Sequence, residues 1–404
     1  MGTERILKFL DKIDSPEKTI MATIVHVTGT NGKGSVVEMT ATGLAHLGKT
    51  VGAFTSPFLQ YETDSIRTFK EENSILKVFS IPEKEYEKIR GGIFSTKGFE
   101  EYPLTEFEVS VVCCLVFFAR VQPVDVLIME VGMGGRDDAT NVFRHRPTTC
   151  VLTGVSWDHE KFLGDTLEKI CENKCGIVHR DCNVVIGDLP ADLTEFARNE
   201  CFRRGAVAVE TLAMETVDLM EPPLNGSHQR FLTAVVYTVL SKIIHADPLA
   251  VIAAIGRTKL PGRLERRYDP KVAFPLILDG AHNIESATAL RKFIDDELDV
   301  SSKKTVTWLL ATSQNRERIL PQLLRPGEIC ICIKFESMQN SEWVKCVDPH
   351  ELGKIADSLG CVTKVIDGYV GEGLEYIRKL PDLENKLVVV AGSLYLVRNY
   401  LRYI

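Results

Sequence analysis

Three features that define large classes of proteins are missing from this sequence. The longest hydrophobic run, Val109 to Ala119, is about half the length that a membrane-spanning helix needs. The formal net charge is -7, and no run of lysine and arginine alternates with aromatic residues, as nucleic-acid binding would favour. No CxxC pair occurs among the eleven cysteines, so reduced, buried thiols are expected. Small molecules are therefore the expected partners, with no nucleic acid and no membrane.

The N-terminal segment lacks the features of a targeting sequence. Residues 1–16 carry Glu4, Asp11 and Asp14, whereas a transit peptide is poor in acids and a signal peptide has a longer apolar centre. Ile6 stands where a myristoylation motif needs serine or threonine. We expect a cytoplasmic, monomeric protein, and a mitochondrial pool is left open although no transit peptide is seen.

The first part of the chain has the alternating pattern of an α/β fold. An apolar strand at 23–28 leads into a glycine-rich loop, a helix at 36–47 follows, and a second buried strand lies at 51–54. A helix at 107–119 and strands at 124–131 and 149–155 continue the alternation. This order predicts a parallel sheet covered on both faces, in a P-loop-containing ATPase domain.

The length of 404 residues favours two domains, because single cores seldom exceed roughly 250–300 residues. Short apolar strands at 274–278, 306–310, 328–333 and 387–391 predict a smaller, Rossmann-like α/β domain. A polar, charged segment precedes them. We predict a first domain at 1–262, a linker at 263–272 and a C-terminal domain at 273–404.

The glycine-rich segment HVTGTNGKGS, at residues 26–35, follows a strand and opens a helix. Its glycines let backbone N–H groups face a phosphate at the helix N-terminus, while Lys33 supplies a cation and Ser35 or Thr30 a hydroxyl. The segment differs from the common Walker pattern, because Val27 stands where the first glycine would be. We interpret it as an ATP site formed by Thr30, Asn31, Gly32, Lys33, Gly34 and Ser35.

Polar side chains follow two further strands of this sheet. Glu130 ends a buried strand, where open α/β sheets bind ligands, and is a candidate magnesium ligand, although such an acid can also cap a loop. Asp158 and His159 follow the next strand and are candidates for a metal or phosphate site. Lys174 lies in a helix that begins near Thr166, and by itself a solvated lysine is the better interpretation.

Two candidates lie near the predicted second domain. Arg263 lies in the linker, where its planar guanidinium could pair with phosphate, although alone it is only a linker arginine. Asp279, His282 and Asn283 follow the first strand of that domain and cluster at its edge. This clustering favours a functional site over a simple turn.

Taken in order, these motifs resemble the folylpolyglutamate and dihydrofolate synthase branch of the Mur ligase family. TDSI, TEFE and LLRP at 63–66, 105–108 and 323–326 look like the monofunctional dihydrofolate synthases of fungal type. The motifs that carry the resemblance are HVTGTNGKGS, FTSPFL, LTEFE, EVGMGGRDDATN, WDHEKFLGDTLEKICENKCGI, PGRLE, LDGAHN and AGSLYLV.

The resemblance implies a reaction in three steps. ATP phosphorylates the carboxylate of 7,8-dihydropteroate, the amino group of L-glutamate attacks the acyl phosphate, and dihydrofolate, ADP and phosphate are released. Phosphoryl transfer suits these residues, because it depends on positioned cations more than on covalent help. Two alternatives stay open: a folylpolyglutamate synthase that extends an existing folate, and a catalytically silent nucleotide-binding homologue.

The resemblance also implies roles for individual residues. Lys33 and Mg²⁺ neutralise the γ-phosphate, Ser35 and Glu130 hold one Mg²⁺, and His159 helps to hold a second. Lys174 corresponds to a lysine that is carbamylated in this family, and a monovalent cation is a further candidate cofactor. Arg263 and Asp279 contact the nucleotide. The remaining roles are catalysis, by Lys33, Lys174, Asp279 and His282, and pteroate binding, by Thr105, Glu106, Phe107, Glu108, Asp137, Asp138 and Ala139.

Three positions depart from the family pattern. Phe58 replaces the histidine of TSPHL, so the pterin pocket is expected to differ. Leu232 replaces the asparagine of HQxxNA, so adenine recognition is expected to differ as well. The segment 60–67 lacks the usual Glu-Arg-Ile.

Overall fold

The chain forms two units, each built on its own β-sheet. The computed structural model describes residues 3–97, 99–146, 148–298, 304–313, 316–337 and 344–404. The first unit comprises Met1–Pro223 and Gln229–Lys259, and the second comprises Leu224–His228 and Leu260–Ile404. The α/β fold class predicted from the sequence is confirmed, with a larger nucleotide-binding-type unit and a smaller α/β unit.

The described part of the first unit contains an eight-stranded sheet in the order β4-β3-β2-β5-β1-β6-β7-β8. At one edge, β3 is antiparallel to both β2 and β4, and the other neighbouring strands are parallel. β1 lies between β5 and β6, so the loop that follows it opens near the middle of the sheet. The strands are β1 (Thr23–Thr28), β2 (Val51–Phe54), β3 (Ile66–Glu72), β4 (Ile75–Ser80), β5 (Val126–Glu130), β6 (Thr149–Leu152), β7 (Asn183–Ile186) and β8 (Ala208–Thr211).

Helices cover both faces of this sheet, as its continuous apolar strands predict. The helices are α1 (Glu4–Lys12), α2 (Pro16–Thr19), α3 (Lys33–His46), α4 (Glu83–Phe94), α5 (Glu106–Val116), α6 (Glu160–Leu163), α7 (Leu167–Lys174), α8 (Ala191–Arg203), α9 (Met214–Leu219), α10 (His228–Ile243) and α11 (Pro248–Ile255). α3 packs with α10 and α11 in one buried apolar cluster, whereas α1, α4 and α5 contribute to another.

The second unit contains a six-stranded sheet in the order β13-β12-β11-β14-β10-β9. β9 is antiparallel to β10, and the other pairs are parallel. Its elements are β9 (Glu265–Tyr268), β10 (Pro275–Leu278), α12 (Ile284–Glu297), β11 (Thr305–Leu310), α13 (Arg316–Leu323), β12 (Ile329–Cys332), α14 (Pro349–Ser358), β13 (Val362–Val365), α15 (Val370–Arg378), β14 (Lys386–Ala391) and α16 (Leu394–Tyr403).

The helices of the second unit divide between the two faces of the sheet. Leu290 of α12, Ile319 of α13 and Leu352 of α14 share one buried cluster with Trp308 of β11. On the opposite face, a Cβ added to Gly373 of α15 would lie 2.5 Å from Leu309, the next residue of β11. α15 also contacts α16, which packs against β14. The chain therefore changes face between α14 and α15.

The predicted linker at 263–272 contains regular structure. Glu265–Tyr268 forms β9, which pairs with β10 and so belongs to the second sheet. Its side chains are partly or fully exposed because it is an edge strand, and the polar sequence Glu-Arg-Arg-Tyr therefore lacks the apolar pattern of a buried strand.

Two further expectations concern cysteine and membranes. All eleven cysteines are free thiols, ten of them buried and Cys346 partly exposed, which confirms the predicted state. Within the described ranges, none of the helices combines the length and apolar character needed to cross a bilayer.

Candidate active site

The glycine-rich loop after β1 is shaped by two glycines with positive φ. Gly29 has φ 151° and Gly32 has φ 84°, conformations that residues with a Cβ rarely adopt. A Cβ on Gly29 would lie 1.9 Å from the hydroxyl of Thr153, so the loop approaches the segment after β6 very closely. Lys33 begins α3, and its Nζ donates to the carbonyl oxygens of Gly29 at 3.0 Å and Thr30 at 3.1 Å. The loop thus combines a helix N-terminus with a cation held over it.

The segment after β6 fixes this loop in place. Thr153 Oγ1 donates to the carbonyl of Asn31 at 2.6 Å, and the amide of Thr30 donates to the carbonyl of Gly154 at 2.9 Å. The amide of Ser156 donates to Thr30 Oγ1 at 3.1 Å. The carboxyl ends of the parallel strands β1 and β6 therefore carry one continuous polar surface.

Glu130 and Ser35 supply oxygen atoms on either side of the loop. Glu130 pairs in register with Val27 of β1, is 5% exposed, and accepts a hydrogen bond from the amide of Ser56 at 3.3 Å. Ser35 lies in the first turn of α3 and is 2% exposed. Carboxylate and hydroxyl oxygens are ligands that Mg²⁺ accepts.

No cluster of three or more histidine, cysteine, aspartate or glutamate side chains arranged for a metal occurs in the described part of the chain. Mg²⁺ in nucleotide sites is commonly held by one or two protein carboxylates together with phosphates and water. The donors Ser35 and Glu130 fit that kind of site, in which the nucleotide completes the coordination.

Lys174 is buried at the end of α7, with 2% of its surface exposed. The interpretation of this residue by itself as a solvated lysine is therefore wrong. Burial and, as a smaller effect, the positive charge of Lys33 lower its pKa from 10.5 to about 7, although the carboxylate of Asp158 acts in the opposite direction. These interactions place Lys174 close to the loop lysine and to the segment after β6. A large fraction of its amine is neutral near neutral pH.

Glycines also allow the segment after β5 to approach the end of α7. A Cβ on Gly135 would lie 2.6 Å from the carbonyl oxygen of Lys174, and one on Gly176 would lie 2.3 Å from Cβ of Arg136. The amide of Arg136 donates to the carbonyl of Asn173 at 2.9 Å. The motifs EVGMGGRDDATN and ENKCGI are thus two sides of one backbone contact, which positions Lys174.

The three residues assigned to pteroate in this segment have different environments. Asp138 is buried and accepts from the amides of Met133 at 2.9 Å and Thr140 at 3.0 Å, so its carboxylate organises the loop itself. Burial raises the pKa of Asp138, against these hydrogen bonds. Ala139 is buried, whereas Asp137 is exposed and lies 3.3 Å from the guanidinium of Arg136.

The TEFE segment is a helix start of the capping-box type. Thr105 Oγ1 accepts the amide of Glu108, and the carboxylate of Glu108 returns to the amide of Thr105 at 2.7 Å. The same carboxylate pairs with Arg5 at 2.6 Å. Glu106 pairs with Arg90 at 3.0 Å. Both carboxylates of this segment, Glu106 and Glu108, are therefore engaged in ion pairs within the unit.

Phe107 connects this helix to the segment after β5. A Cβ on Gly132 would lie 2.5 Å from Cζ of Phe107, and the ring of Phe54 lies 6.0 Å from that of Phe107. An aromatic wall therefore lies beside the glycine-rich segment. Of the residues assigned to pteroate, Phe107 has the environment most suited to an aromatic substrate.

His159 lies near Lys174, because the carboxylate of the preceding residue, Asp158, acts on that lysine. It adopts a left-handed conformation with φ 47° immediately before α6, and its Nε2 lies 3.7 Å from Asp158 Oδ2. Its side chain is 41% exposed, so the ring is accessible to a ligand. Its assignment to a second metal stays a prediction.

In the second unit, three motifs converge at the carboxyl ends of the adjacent strands β10 and β14. Asp279 follows β10, is 6% exposed, and accepts the amides of Leu264 and Ala281, each at 2.8 Å. Burial raises the pKa of Asp279 to about 6. The carbonyl of Gly280 lies 2.9 Å from His282 Nδ1, and Ser393 caps α16 after β14.

Arg263 lies in the same cluster as Asp279. Its positive charge favours the ionised carboxylate of Asp279, and its Nη1 donates to the carbonyl of Gly262 at 3.3 Å. Asn283 caps α12, with its side chain accepting the amide of Ser286 at 2.9 Å. The sequence-predicted residues of this unit are therefore neighbours, as expected.

Two contacts of the loop were not predicted. Gln229 Nε2 lies 3.4 Å from Ser35 Oγ, and the methyl groups of Leu232 would lie 2.8 Å from a Cβ on Gly32. Both residues come from the HQRFLT segment of α10, whose histidine-glutamine pair was the available signal. Thr153 offered no signal, because a threonine after a strand is common.

Comparison with known proteins identifies the family to which this chain belongs. The Mur ligase middle domain matches residues 27–215, and the dihydrofolate synthetase C-terminal domain matches residues 263–403. The chain is 30% identical to dihydrofolate synthetase of Saccharomyces cerevisiae over 430 aligned positions, which cover 100% of this chain and 97% of that protein. It is 28% identical to a probable dihydrofolate synthetase of Schizosaccharomyces pombe, covering 100% and 98%. The chain belongs to the dihydrofolate synthase and folylpolyglutamate synthase branch of the Mur ligase family.

Solved structures share the fold over the whole chain. Folylpolyglutamate synthase of Mycobacterium tuberculosis, complexed with ADP and AMPPCP, has a TM-score of 0.79 at 24% identity, covering 100% of this chain and 95% of that one. FolC of E. coli, in complex with DHPP and ADP, has a TM-score of 0.80 at 21% identity, covering 100% and 93%.

Proposed function

We propose that this chain is an ATP-dependent ligase that joins L-glutamate to 7,8-dihydropteroate through an acyl phosphate, giving 7,8-dihydrofolate, ADP and phosphate. The observation that carries the proposal is the surface shared by the glycine-rich loop, the segment after β6 and buried Lys174. The similarity to fungal dihydrofolate synthetases over the full chain supports the acceptor.

Residues of the first unit serve the transferred phosphate. Lys33 holds its ammonium over the loop, where it binds the β- and γ-phosphates, and the amides of residues 30–35 surround the phosphate oxygens. Ser35 and Glu130 would hold Mg²⁺, and His159 would contribute to a second metal. The metal, when bound, neutralises charge on the phosphates. In the second unit, the roles that the family resemblance assigns to Asp279, Arg263 and His282, nucleotide binding and catalysis, stay predictions.

Lys174 is suited to carbamylation, which we propose as its functional state. The neutral amine adds to CO₂, an N–C bond forms, and one proton is released, leaving an anion in place of a cation. Attraction by Lys33, which lies close enough to perturb the lysine, stabilises that anion. A monovalent cation remains part of the proposal as a further cofactor.

A substrate panel tests the acceptor. The protein is given ATP, Mg²⁺ and L-glutamate with either dihydropteroate or tetrahydrofolate, and the products are identified by mass spectrometry. We expect dihydrofolate from the first and no extended folate from the second. Extension of tetrahydrofolate alone would instead assign the chain as a folylpolyglutamate synthase, and nucleotide binding without any product would identify a silent homologue.

A further inference from the structure

A crevice in the second unit lies between β12 and β13, away from the cluster around Asp279 at β10 and β14. β12 leads to α14 on one face of the sheet, whereas β13 leads to α15 on the other. The loops after these two neighbouring strands therefore diverge. In open α/β sheets, ligands bind outside the carboxyl ends of the strands at such a point of divergence.

A cavity of about 540 Å³ opens at this position. Lys334 and Phe335 line it directly after β12, Asp367 and Tyr369 line it after β13, and Asp348 at the start of α14 contributes a third side. A cavity of this volume is within the usual range of small-molecule sites, which begins at roughly 300 Å³.

The polar wall of the cavity carries both signs of charge. Asp367 uses one oxygen to pair with Lys334 Nζ at 3.1 Å and the other to contact His350 Nε2 at 3.2 Å. These contacts lower the pKa of Asp367, and Asp367 in turn raises the pKa of Lys334. Lys334 therefore stays charged and has further ammonium protons to donate, since an ammonium carries three.

Asp348 supplies the opposite charge. Its Oδ1 caps α14 by accepting the amide of His350 at 2.9 Å, while its Oδ2 takes part in none of the hydrogen bonds found among the described residues. Asp348 lies close enough to Lys334 to raise the pKa of that lysine. An ammonium donor and a carboxylate acceptor thus face the same cavity.

The apolar part of the lining is presented to the cavity mainly by the ring of Tyr369. Phe335 is 2% exposed and stacks on Tyr395, with ring centroids 5.4 Å apart and planes inclined by 19°. Val347 is also buried, and the ring of Tyr369 is 45% exposed. A ligand with only negative charge would be repelled by Asp348 and Asp367, and a ligand with only positive charge would be repelled by Lys334. A molecule with both charges and an apolar portion satisfies each wall.

We propose that this crevice binds a zwitterionic α-amino acid with an apolar side chain. Its carboxylate pairs with Lys334, its ammonium pairs with Asp348, and its side chain packs on the exposed ring of Tyr369. The crevice lies at the loops after β12 and β13, and its ligand differs from L-glutamate in the absence of a second carboxylate.

Cys346 provides a reporter inside the cavity. It lines the crevice and is partly exposed, whereas the other ten cysteines are buried. Iodoacetamide labelling of the full chain, followed by mass spectrometry of the Cys346 peptide, measures access to the site. L-phenylalanine is the probe; 3-phenylpropionate lacks its amino group, and phenethylamine lacks its carboxylate.

We expect L-phenylalanine to slow labelling of Cys346 about tenfold at a concentration about ten times its dissociation constant. The two analogues should protect much less. Lys334→Gln and Asp348→Asn should each remove the protection, and asparagine retains the helix cap. Lys345→Gln, at an exposed lysine outside the lining, is the matched control and should keep it.

Three results would overturn the proposal. The first is unchanged labelling with L-phenylalanine in the natural sequence, and the second is equal protection by 3-phenylpropionate. The third is equal protection of Lys334→Gln and Lys345→Gln. The readout is local to Cys346, so loss of ligase activity would neither produce nor conceal these results.

Discussion

Two lysines of the first unit occupy contrasting environments a short distance from each other. Lys33 extends over the glycine-rich loop and donates to its carbonyl oxygens, so it stays available to an incoming phosphate. Lys174 is the last residue of α7 and is covered by the segment after β5, and its burial lowers its pKa to about 7. Like charges repel, so protonation of one lysine disfavours protonation of the other.

Replacement of the loop lysine tests its role in phosphoryl transfer. For Lys33→Ala we expect turnover to fall about a hundredfold or more, because a preorganised charge at the transferred group is removed. The fold should persist, which circular dichroism and the melting temperature check. Lys97→Ala, at an exposed lysine, should leave turnover unchanged. Near-normal turnover in Lys33→Ala would refute the assignment.

The pKa of Lys174 also predicts how stability depends on pH. Between about pH 7 and 10.5 the unfolded chain keeps this lysine protonated while the folded chain does not, so the unfolded state binds more protons and stability rises with pH. Below pH 7 the full destabilisation, on the order of 5 kcal/mol, is present. The Lys174→Met variant has no amine at this position and therefore lacks this destabilisation.

Urea unfolding in CO₂-depleted buffers measures this effect. The free energy of unfolding of the natural protein, relative to Lys174→Met, should rise as the pH increases from about 7 to about 10. Lys97→Met should show no such trend relative to the natural protein. Parallel pH profiles for the natural protein and Lys174→Met would show that the buried amine does not titrate in this window.

The sequence predicted which segments lie at the ends of the strands better than it predicted the environments of their side chains. The glycine-rich loop, Glu130 and the DGAHN segment were found because each follows an apolar strand. The burial of Lys174 could not be found in the same way, because it depends on a loop some forty residues earlier that packs over the end of α7. Asp138 looked like a substrate ligand, yet its hydrogen bonds hold its own loop.

At the scale of elements, close backbone approach explains why glycines are required between β5 and α7. Gly135 faces the carbonyl oxygens of Lys174 and Asn173, at 2.6 and 3.0 Å from an added Cβ. Neither carbonyl can move without displacing the end of the helix. Side chains elsewhere could adjust by changing rotamer, but backbone atoms in a packed contact cannot.

Gly135→Ala should therefore destabilise the protein by about 1–3 kcal/mol and lower turnover, because the end of α7 is displaced. Gly91→Ala is the matched control: this glycine lies in α4 with nothing within 4 Å of an added Cβ. There alanine should stabilise by roughly 0.5–1 kcal/mol, since it is the better helix former. Chemical denaturation of both variants measures the difference, and equal effects would contradict the contact.

Strands in the middle of each sheet were predicted more accurately than strands at the edges. β1 and β2 have the predicted bounds, because strands buried on both faces are continuously apolar. β9 and the β3–β4 hairpin were missed. The charged sequences of β9 and β3 resemble loop sequence, whereas the edge strand β4 leaves apolar side chains such as Phe79 exposed. The predicted helix at 107–119 ends at Val116, followed by a wider π-helical turn through Val121.

For the whole molecule, nucleotide binding should be visible as stabilisation. A ligand that binds the folded chain alone adds about 2.7 kcal/mol at a hundred times its dissociation constant, so ATP with Mg²⁺ should raise the melting temperature by several degrees. EDTA should reverse most of the shift, and Lys33→Ala should show much less of it. An equal shift in Lys33→Ala would place the nucleotide elsewhere.

The order of strands in the second sheet has a consequence for synthesis on the ribosome. β14 lies between β10 and β11, although it is the last of the three to be translated. The first unit ends at Lys259, and β14 ends at Ala391, which at about 5–20 residues per second takes roughly 7–26 s more. During that interval the nascent β10 and β11 present open, apolar edges. These edges are the part of the emerging polypeptide that we expect chaperones to shield.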